Sequence, residues 1–271
     1  MTEPAPPAGP APPAVPAVLY EVADGVATVT LNRPDQRNVL NAESLGPLLQ
    51  ALRTAAADDE VRVVVLTGSG NTFCSGADLR GAASDAGGFA GAGPQMTVDV
   101  LAALLDHPKP TVARVQGHVA GGGNGLVAAC DLAVAVQDAR FAFSEVRVGV
   151  APAVISVVCL RVMPPREAAE LMLTGERVDA ARALRGGLLT AVVPPGELDA
   201  TVTRWVGQLR LGGPTAVAAT KELLRRVPLL SRDEAFAYTA ELSASLFAGP
   251  EAAEGMAAFV QRRPPSWAPR A

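Results

Sequence analysis

The chain has 271 residues, of which 49% are hydrophobic and 4% aromatic, and its formal net charge is −4 at pH 7. This length is enough for one soluble domain with a large core, which must be built mainly from Ala, Val and Leu because aromatic residues are scarce. The weak negative charge provides no basic field for nucleic acid or an anionic membrane, and the apolar segments end well before the roughly 20 residues of a membrane span, so we expect neither partner.

The N-terminal part of the chain predicts a tail, a hairpin and a helix. Residues 1–17 are almost wholly Pro and Ala, and proline cannot donate to a helix or a sheet, so we expect a disordered or polyproline tail. Two strand-like runs, residues 18–22 and 25–31, then predict a β-hairpin. Asn41 is a suitable N-cap for a helix over about residues 43–57, where leucines recur at helical spacing.

The next segments alternate between strands, a glycine cluster and a helix. Residues 61–67 predict a strand that leads into the first glycine cluster, residues 73–79 (Phe-Cys-Ser-Gly-Ala-Asp-Leu). Residues 81–95 are rich in Gly and Ala and show little periodicity, so we interpret them as a mobile loop, either a lid over a site or an inert surface loop. A helix over residues 98–105 and a strand over residues 111–115 are expected to follow.

The second glycine cluster, residues 121–126 (Gly-Gly-Gly-Asn-Gly-Leu), opens a predicted helix that runs through Ala129. Residues 132–136 predict the next strand, and after Pro152 the pattern is helical to the end of the chain. Strand, helix and strand repeat in a way that predicts an α/β fold with parallel crossovers, stacked sheets and helices outside.

The two glycine clusters are the strongest functional signal. Each follows a β-branched strand and precedes helix-compatible sequence, so each offers free backbone N–H groups at a strand-to-helix turn. The second cluster does not fit the dinucleotide pattern Gly-x-Gly-x-x-Gly, because Leu126 is at its last position. Two such turns in this order indicate the two halves of an oxyanion hole, in which N–H groups stabilise a developing negative charge.

Six segments in order resemble the crotonase superfamily, also called the enoyl-CoA hydratase/isomerase family. The segments are Leu31-Asn32-Arg33-Pro34 with Asn38, the cluster around Ala77, Pro108-Lys109-Pro110, residues 121–131, residues 143–150, and Glu254-Gly255-Met256 with Phe259. The resemblance covers about residues 18–267. It implies a crotonase-like core of stacked sheets in a ββα spiral over residues 18–200, which holds the CoA and catalytic site. It also implies a helical C-terminal region over residues 201–271 that assembles trimers, often paired into hexamers.

The resemblance also implies the catalytic groups. The backbone N–H groups of Ala77 and Gly122 correspond to the donors that polarise the thioester carbonyl of an acyl-CoA, and Glu145 corresponds to an acid/base carboxylate. Apolar neighbours on both sides are expected to desolvate Glu145 and raise its pKa, which suits a group that exchanges a proton near neutral pH. A surface pair between Glu145 and Arg147 is the structural alternative.

Further residues match the family's binding surface for the acyl-CoA thioester. These residues are Arg37, Asn38, Val39, Ser75, Gly76, Asp78, Leu79, Gly121, Gly125 and Trp267. For Asp78, capping of its own turn is the stronger expectation. Trp267 is a possible cover for the nucleotide of CoA in an adjacent subunit, and an aromatic anchor for the chain end is the alternative.

Gly125 departs from the best-known hydratases of the family, which have a glutamate at this position in addition to the one at Glu145. The leading hypothesis is still an enoyl-CoA hydratase that adds water to a 2-enoyl-CoA, and the chain is similar to a branch of the family that includes enzymes for branched substrates with their own carboxylate. A Δ3-Δ2-enoyl-CoA isomerase is the second hypothesis, because moving one proton between Cα and Cγ needs a single base. The third is a protein that binds acyl-CoA without turnover.

The remaining polar candidates predict less. His107 is expected at the surface or a helix end, and His118 lies close enough to the second cluster to orient water or a substrate carboxylate, although a structural role is the stronger expectation. Asn124 is expected to cap its helix or to donate to the substrate. The three cysteines lack metal-ligand spacing, and neither a metal nor a redox cofactor motif is apparent, so no cofactor is expected beyond the CoA of the substrate. Buried thiols and the absence of a signal-like N-terminus favour the cytoplasm.

Overall fold

Residues 15–78 and 92–269 are described by the structure, a computed structural model of the chain, and they form two sheets surrounded by helices. Of the predicted tail, residues 1–14 lie outside the described residues. The carbonyl groups of Pro16 and Ala17 accept hydrogen bonds from the side chain and the backbone N–H of Asn32. The chain is therefore held in place just before the first strand.

The larger sheet has six strands in the order β1-β2-β3-β5-β7-β10. They are β1 (Val18–Ala23), β2 (Val26–Leu31), β3 (Val63–Gly68), β5 (Thr111–Val115), β7 (Leu132–Val136) and β10 (Ala191–Val193). β1 and β2 form the predicted hairpin, and the other neighbouring strands are parallel. Every residue of β3 is buried, as expected for a central strand of a parallel sheet that is covered on both faces.

A smaller sheet of four strands stacks beside the first, as the predicted stacked sheets require, but its strands were not assigned from the sequence. Its order is β4-β6-β8-β9, with β4 (Thr72–Cys74), β6 (His118–Ala120), β8 (Arg140–Ala142) and β9 (Arg177–Asp179). Each strand has only three residues, which is too short for alternation to be recognised. The sheet matters for function because both glycine clusters and the Glu145 segment follow the carboxyl ends of its parallel strands β4, β6 and β8.

The helices of the described residues surround these sheets. They are α1 (Ala42–Ala57), α2 (Gly93–Leu105), α3 (Gly122–Ala129), α4 (Ala153–Val162), α5 (Pro165–Thr174), α6 (Ala180–Arg185), α7 (Leu198–Leu211), α8 (Pro214–Arg226), α9 (Arg232–Phe247) and α10 (Pro250–Gln261). Asn41 caps α1 as predicted, because its side chain accepts from Ser44 N and the Ser44 hydroxyl accepts from Asn41 N.

Two sequence-based boundaries need correction. The chain is not wholly helical after Pro152, because β9 and β10 interrupt the helices there, and both strands are too short to stand out in an Ala-rich sequence. α2 begins at Gly93 instead of residue 98, so the last residues of the predicted loop 81–95 are helical. The rest of that loop, through residue 91, lies outside the described residues. The expected boundary between residues 200 and 201 falls inside α7.

The core lies between the sheets and the helices packed on them. Val, Leu and Ala dominate the buried side chains, as predicted, and Phe73, Phe141 and Phe143 are the largest of them. α7 packs against β3, β5 and β7, so the start of the C-terminal region belongs to this core. In the described part of the chain, none of the helices combines the length and the apolar character that crossing a membrane requires.

Candidate active site

Backbone hydrogen bonds fix the direction of the Ala77 N–H. Leu40 N donates to Gly76 O at 2.7 Å, and Asp78 N donates to Leu40 O at 3.1 Å. The C=O and N–H of a trans peptide point in opposite directions, and no described peptide bond is cis. The Ala77 N–H therefore points away from the backbone of Leu40.

The second glycine cluster presents the Gly122 N–H in a similar way. Gly121 N donates to Ala142 O at 3.0 Å, and Gly121 O accepts from Asn124 N at 2.9 Å. Gly121 has a φ of 51°, which favours glycine, and α3 begins at the next residue. The Gly122 N–H is in the first turn of α3, where it has no acceptor within the helix and lies at the positive end of the helix dipole.

The two turns touch each other through their glycines. A Cβ built on Gly76 would lie 3.0 Å from Gly122 N and 3.2 Å from Gly121 Cα. The first turn therefore has no room for a side chain at Gly76. The structure therefore places the Gly76–Ala77 and Gly121–Gly122 peptides side by side, and their role as an oxyanion hole stays a prediction.

Glu145 lies next to the same contact. It is the second residue of a 3₁₀ turn, Ser144–Val148, that follows β8. A Cβ built on Gly121 would lie 3.5 Å from Glu145 Oε1, and Glu145 Oε2 is buried without a hydrogen-bond partner among the described residues. Burial raises the pKa of the Glu145 carboxyl, and its own backbone N–H opposes part of this effect. The alternative, a surface pair between Glu145 and Arg147, is not formed, and the Arg147 Nε instead donates to Thr174 O.

Gly125 faces the interior of the helical layer. A Cβ built on it would lie 2.5 Å from Ile155 Cγ2 and 3.6 Å from Leu101 Cδ1. Ile155 on α4 is buried, and the thiol of Cys159, one turn further along α4, is buried near Glu145. Burial, followed by the negative charge of Glu145, raises the pKa of Cys159 to about 12, so this thiol stays neutral. The surroundings of Gly125 are therefore apolar.

The segments predicted to contact CoA pack side by side. Ser75 N donates to Arg37 O at 3.0 Å, which joins the first glycine cluster to the segment of Arg37, Asn38 and Val39. The Asn38 side chain is buried and bridges the loop, because Nδ2 donates to Ser69 O and Thr72 O and Oδ1 accepts from Arg33 N. Asn38 thus leaves only its backbone for a ligand, whereas the Arg37 side chain is exposed.

Asp78 and Leu79, at the end of the first glycine cluster, also belong to the predicted binding surface. Asp78 Oδ2 accepts from Asn41 Nδ2 at 3.3 Å, so this carboxylate supports the junction between its turn and α1. Leu79 lies outside the described residues. This contact is with the N-cap of α1, so capping of its own turn by Asp78 stays a prediction.

Trp267 lies away from the glycine turns within this chain. Its Nε1 donates to Leu211 O at 3.1 Å, its carbonyl accepts from Arg62, and its ring packs on Gly255. These contacts match the alternative of an aromatic anchor for the chain end. The coverage of CoA in an adjacent subunit remains a prediction.

The histidines and Asn124 agree with expectation only in part. His107 follows the C-cap of α2, so it is at a helix end as predicted, but it is buried, with Nε2 3.2 Å from Leu52 O. His118 is largely exposed at the start of β6, and partial desolvation of its ring, followed by the charges of nearby arginines, lowers its pKa. Asn124 does not cap α3, because its Nδ2 donates backward to Ala142 O and Gly121 O. Ile155 and Leu40 had no signal in the sequence as neighbours of the site, because both are brought there by the fold.

Comparison with known proteins gives consistent matches over nearly the whole chain. The model of the enoyl-CoA hydratase/isomerase family matches residues 21–270. A putative enoyl-CoA hydratase of Thermus thermophilus is 38% identical over 245 residues, covering 89% of this chain and 96% of the relative. A carnitinyl-CoA dehydratase of Salmonella arizonae is 34% identical over 256 residues, covering 89% of this chain and 94% of the relative.

Solved structures resemble the whole fold. The crystal structure of an enoyl-CoA hydratase of Mycobacterium smegmatis has a TM-score of 0.88 at 37% identity and covers 93% of this chain and 99% of its own. The crystal structure of human enoyl-CoA hydratase domain-containing protein 3 has a TM-score of 0.87 at 29% identity and covers 93% of this chain and 100% of its own. The two sheets and the C-terminal helices are thus an arrangement found in solved relatives.

Proposed function

The chain belongs to the enoyl-CoA hydratase/isomerase family of the crotonase superfamily, and we propose that it is an enoyl-CoA hydratase-type enzyme that adds water to a 2-enoyl-CoA thioester. The observation that carries this proposal is the meeting of three elements at one contact. They are the Gly76–Ala77 peptide, the Gly121–Gly122 peptide and the Glu145 carboxyl.

The two peptides supply the proposed oxyanion hole. The Ala77 and Gly122 N–H groups bind the thioester oxygen, which becomes negatively charged as the enolate forms. Support comes from the trans geometry that turns the Ala77 N–H away from Leu40 and from the position of Gly122 at the start of α3. Removal of one such donor commonly costs about 3 to 4 kcal/mol of transition-state stabilisation.

Glu145 is the proposed acid/base. Its carboxylate takes a proton from water as the water oxygen bonds to Cβ, and the electrons of the double bond move into the enolate. The neutral carboxyl then returns the proton to Cα, so the net change is the addition of one water. The raised pKa of Glu145 supports this cycle, because a desolvated carboxyl accepts and returns a proton more readily near neutral pH.

A second candidate, Δ3-Δ2-enoyl-CoA isomerase, is favoured by the surroundings of Gly125. The side chains of Ile155 and Leu101 lie at this position, where a second carboxylate would otherwise assist water. Isomerisation needs only one base, which removes a proton from Cα and returns it to Cγ. Both candidates use the same N–H groups and the same Glu145.

The binding surface and the assembly are also proposals. The backbone of residues 37–39 and of residues 75–78 contacts the CoA portion, and no cofactor beyond that CoA takes part. The chain acts in the cytoplasm as a trimer or hexamer. Large apolar side chains exposed on the C-terminal helices support assembly, and they are Leu224, Phe236, Phe247, Met256, Phe259 and Val260. Light scattering of the purified protein tests this assembly.

Ultraviolet absorbance of the conjugated enoyl thioester tests the function. Plain and carboxylated 2-enoyl-CoAs and a 3-enoyl-CoA are mixed with the wild type, with Glu145→Gln and with Glu21→Gln, which removes an exposed charge on β1. If the protein is a hydratase, the absorbance of a 2-enoyl-CoA should fall with the wild type and with Glu21→Gln, and it should stay unchanged with Glu145→Gln. A gain of absorbance from the 3-enoyl-CoA supports the isomerase. No change with any substrate contradicts both.

A further inference from the structure

Asn124 joins the Gly121–Gly122 turn to the strand that leads to Glu145. Its side chain is fully buried, with an exposed fraction of 0%. Nδ2 donates to Ala142 O at 2.8 Å and to Gly121 O at 3.3 Å. Oδ1 has no hydrogen-bond partner among the described residues. The hydrogen bonds of this side chain are thus made by its NH₂ group, and both acceptors border the candidate active site.

These bonds close a ring around Gly121. Gly121 N donates to Ala142 O at 3.0 Å, the same oxygen that accepts from Asn124 Nδ2. Gly121 O accepts from both the backbone N–H and the side chain of Asn124. Both backbone polar groups of Gly121 are therefore held by the same two residues.

The Gly121–Gly122 peptide needs such a restraint. Gly121 has φ 51° and ψ −126°, and a peptide between two glycines can rotate at low cost because no Cβ opposes the motion. Such a rotation changes the direction of the Gly122 N–H. Since C=O and N–H are antiparallel in a trans peptide, holding Gly121 O fixes the direction of the Gly122 N–H.

We propose that Asn124 is a positioning residue that orients the Gly122 N–H relative to Glu145 and so sets how strongly the site polarises a thioester carbonyl. Ala142 is the last residue of β8, so the same amide also anchors the strand that leads to the acid/base group. This inference rests on the proposed function, because it takes the Gly122 N–H as an oxyanion donor.

Asn124→Leu tests the inference, because leucine has a similar volume and no donor. We expect kcat to fall about tenfold to hundredfold with KM within about threefold of the wild type, since the loss concerns the transition state. The infrared band of a ¹³C-labelled thioester carbonyl in bound 2-enoyl-CoA should move back toward its position in water. Thr67→Val is the matched control, because the buried Thr67 hydroxyl donates to Arg114 O on the larger sheet, and its kcat and carbonyl band should be unchanged.

Asn124→Asp gives a second readout that does not depend on the folding of the leucine variant. A neutral carboxyl at this position donates one hydrogen bond, whereas an ionised carboxyl donates none and faces two carbonyl oxygens. The kcat of Asn124→Asp relative to the wild type should therefore fall as the pH rises. A purely structural role predicts no such pH-dependent ratio in the folded protein.

The outcomes separate the two proposals. If the wild type neither turns over an enoyl-CoA nor shifts its carbonyl band, the proposed function and this inference both fail. If the wild type shifts the band and the folded Asn124 variants shift it equally, with unchanged kcat at every pH, the inference is overturned and the proposed function stands.

Discussion

Gly125 packs against Ile155 so closely that an added Cβ would lie 2.5 Å from Ile155 Cγ2 and 3.0 Å from Ile155 Cβ. Rotation about χ1 of Ile155 moves Cγ2 but leaves Cβ in place, so it does not remove both contacts. The close approach of α3 and α4 thus depends on the absence of a side chain at residue 125. The same contact keeps the side of the site next to Gly125 apolar.

Gly125→Ala should destabilise the protein by about 1 to 3 kcal/mol, because the methyl group overpacks a buried helix contact. Gly207→Ala is the matched control, since Gly207 lies within α7 with nothing within 4 Å of an added Cβ. There the substitution should stabilise by about 0.5 to 1 kcal/mol through helix propensity. Urea unfolding measures both. Equal effects of the two substitutions would show that the Ile155 contact does not restrict residue 125.

Gly76→Ala should cost more stability than Gly149→Ala. Both glycines have a positive φ, 85° and 79°, so alanine is strained by about 1 to 2 kcal/mol at either one. At Gly76 the new methyl also meets Ala120 O at 2.9 Å and Gly122 N at 3.0 Å, whereas at Gly149 it meets nothing within 4 Å. Chemical unfolding of the two variants should therefore differ by about 1 kcal/mol or more. An equal loss would mean that the two glycine turns do not touch.

The raised pKa of Glu145 predicts a pH-dependent effect of Glu145→Gln on stability. The folded state holds this proton at higher pH than the unfolded state, so ionisation of Glu145 reduces the free energy of unfolding as pH rises through the carboxyl range. Glu145→Gln removes this penalty and should gain stability relative to the wild type between acidic and neutral pH. Thermal unfolding at a series of pH values measures the difference. If Glu145→Gln instead becomes less stable relative to the wild type as the pH rises, the folded state stabilises the Glu145 carboxylate.

His107 predicts the opposite dependence below neutral pH. Lys109 N donates to Nδ1, so Nε2 carries the proton and donates to Leu52 O, and burial lowers the pKa of the ring. As the pH falls, the unfolded state therefore binds a proton at a higher pH than the folded state does. The free energy of unfolding should fall as the pH drops below about 6.5. His107→Gln should flatten this slope, and His118→Gln should do so less because His118 is exposed. Equal slopes in His107→Gln and the wild type would contradict the buried neutral ring.

The sequence predicted the elements whose patterns are long. The hairpin of β1 and β2, the Asn41 cap of α1 and the strands β3, β5 and β7 were each recognised from several consecutive residues. Stacked sheets were predicted, but the strands of the smaller sheet were missed because they have three residues each, and hydrophobic alternation cannot be read from so few positions. The length of the segment, not its residue types, separates the predicted elements from the missed strands.

The candidate site could be predicted only in part. Ala77, Gly122 and Glu145 belong to local motifs, and the fold brings their segments together. Ile155 is different, because its place opposite Gly125 depends on how α3 and α4 pack. The bond from Asn124 to Ala142 likewise joins residues that are 18 positions apart, which no local spacing indicates.

The central claim is that Glu145 transfers the proton in the hydration of an enoyl thioester. Its most direct test is mass spectrometry of a 2-enoyl-CoA incubated in ¹⁸O-labelled water with the wild type, Glu145→Gln and the Glu21→Gln control. The wild type and the control should place ¹⁸O in a 3-hydroxyacyl product, and Glu145→Gln should do so about 100- to 10,000-fold more slowly. Incorporation of ¹⁸O by Glu145→Gln at the wild-type rate would contradict the claim.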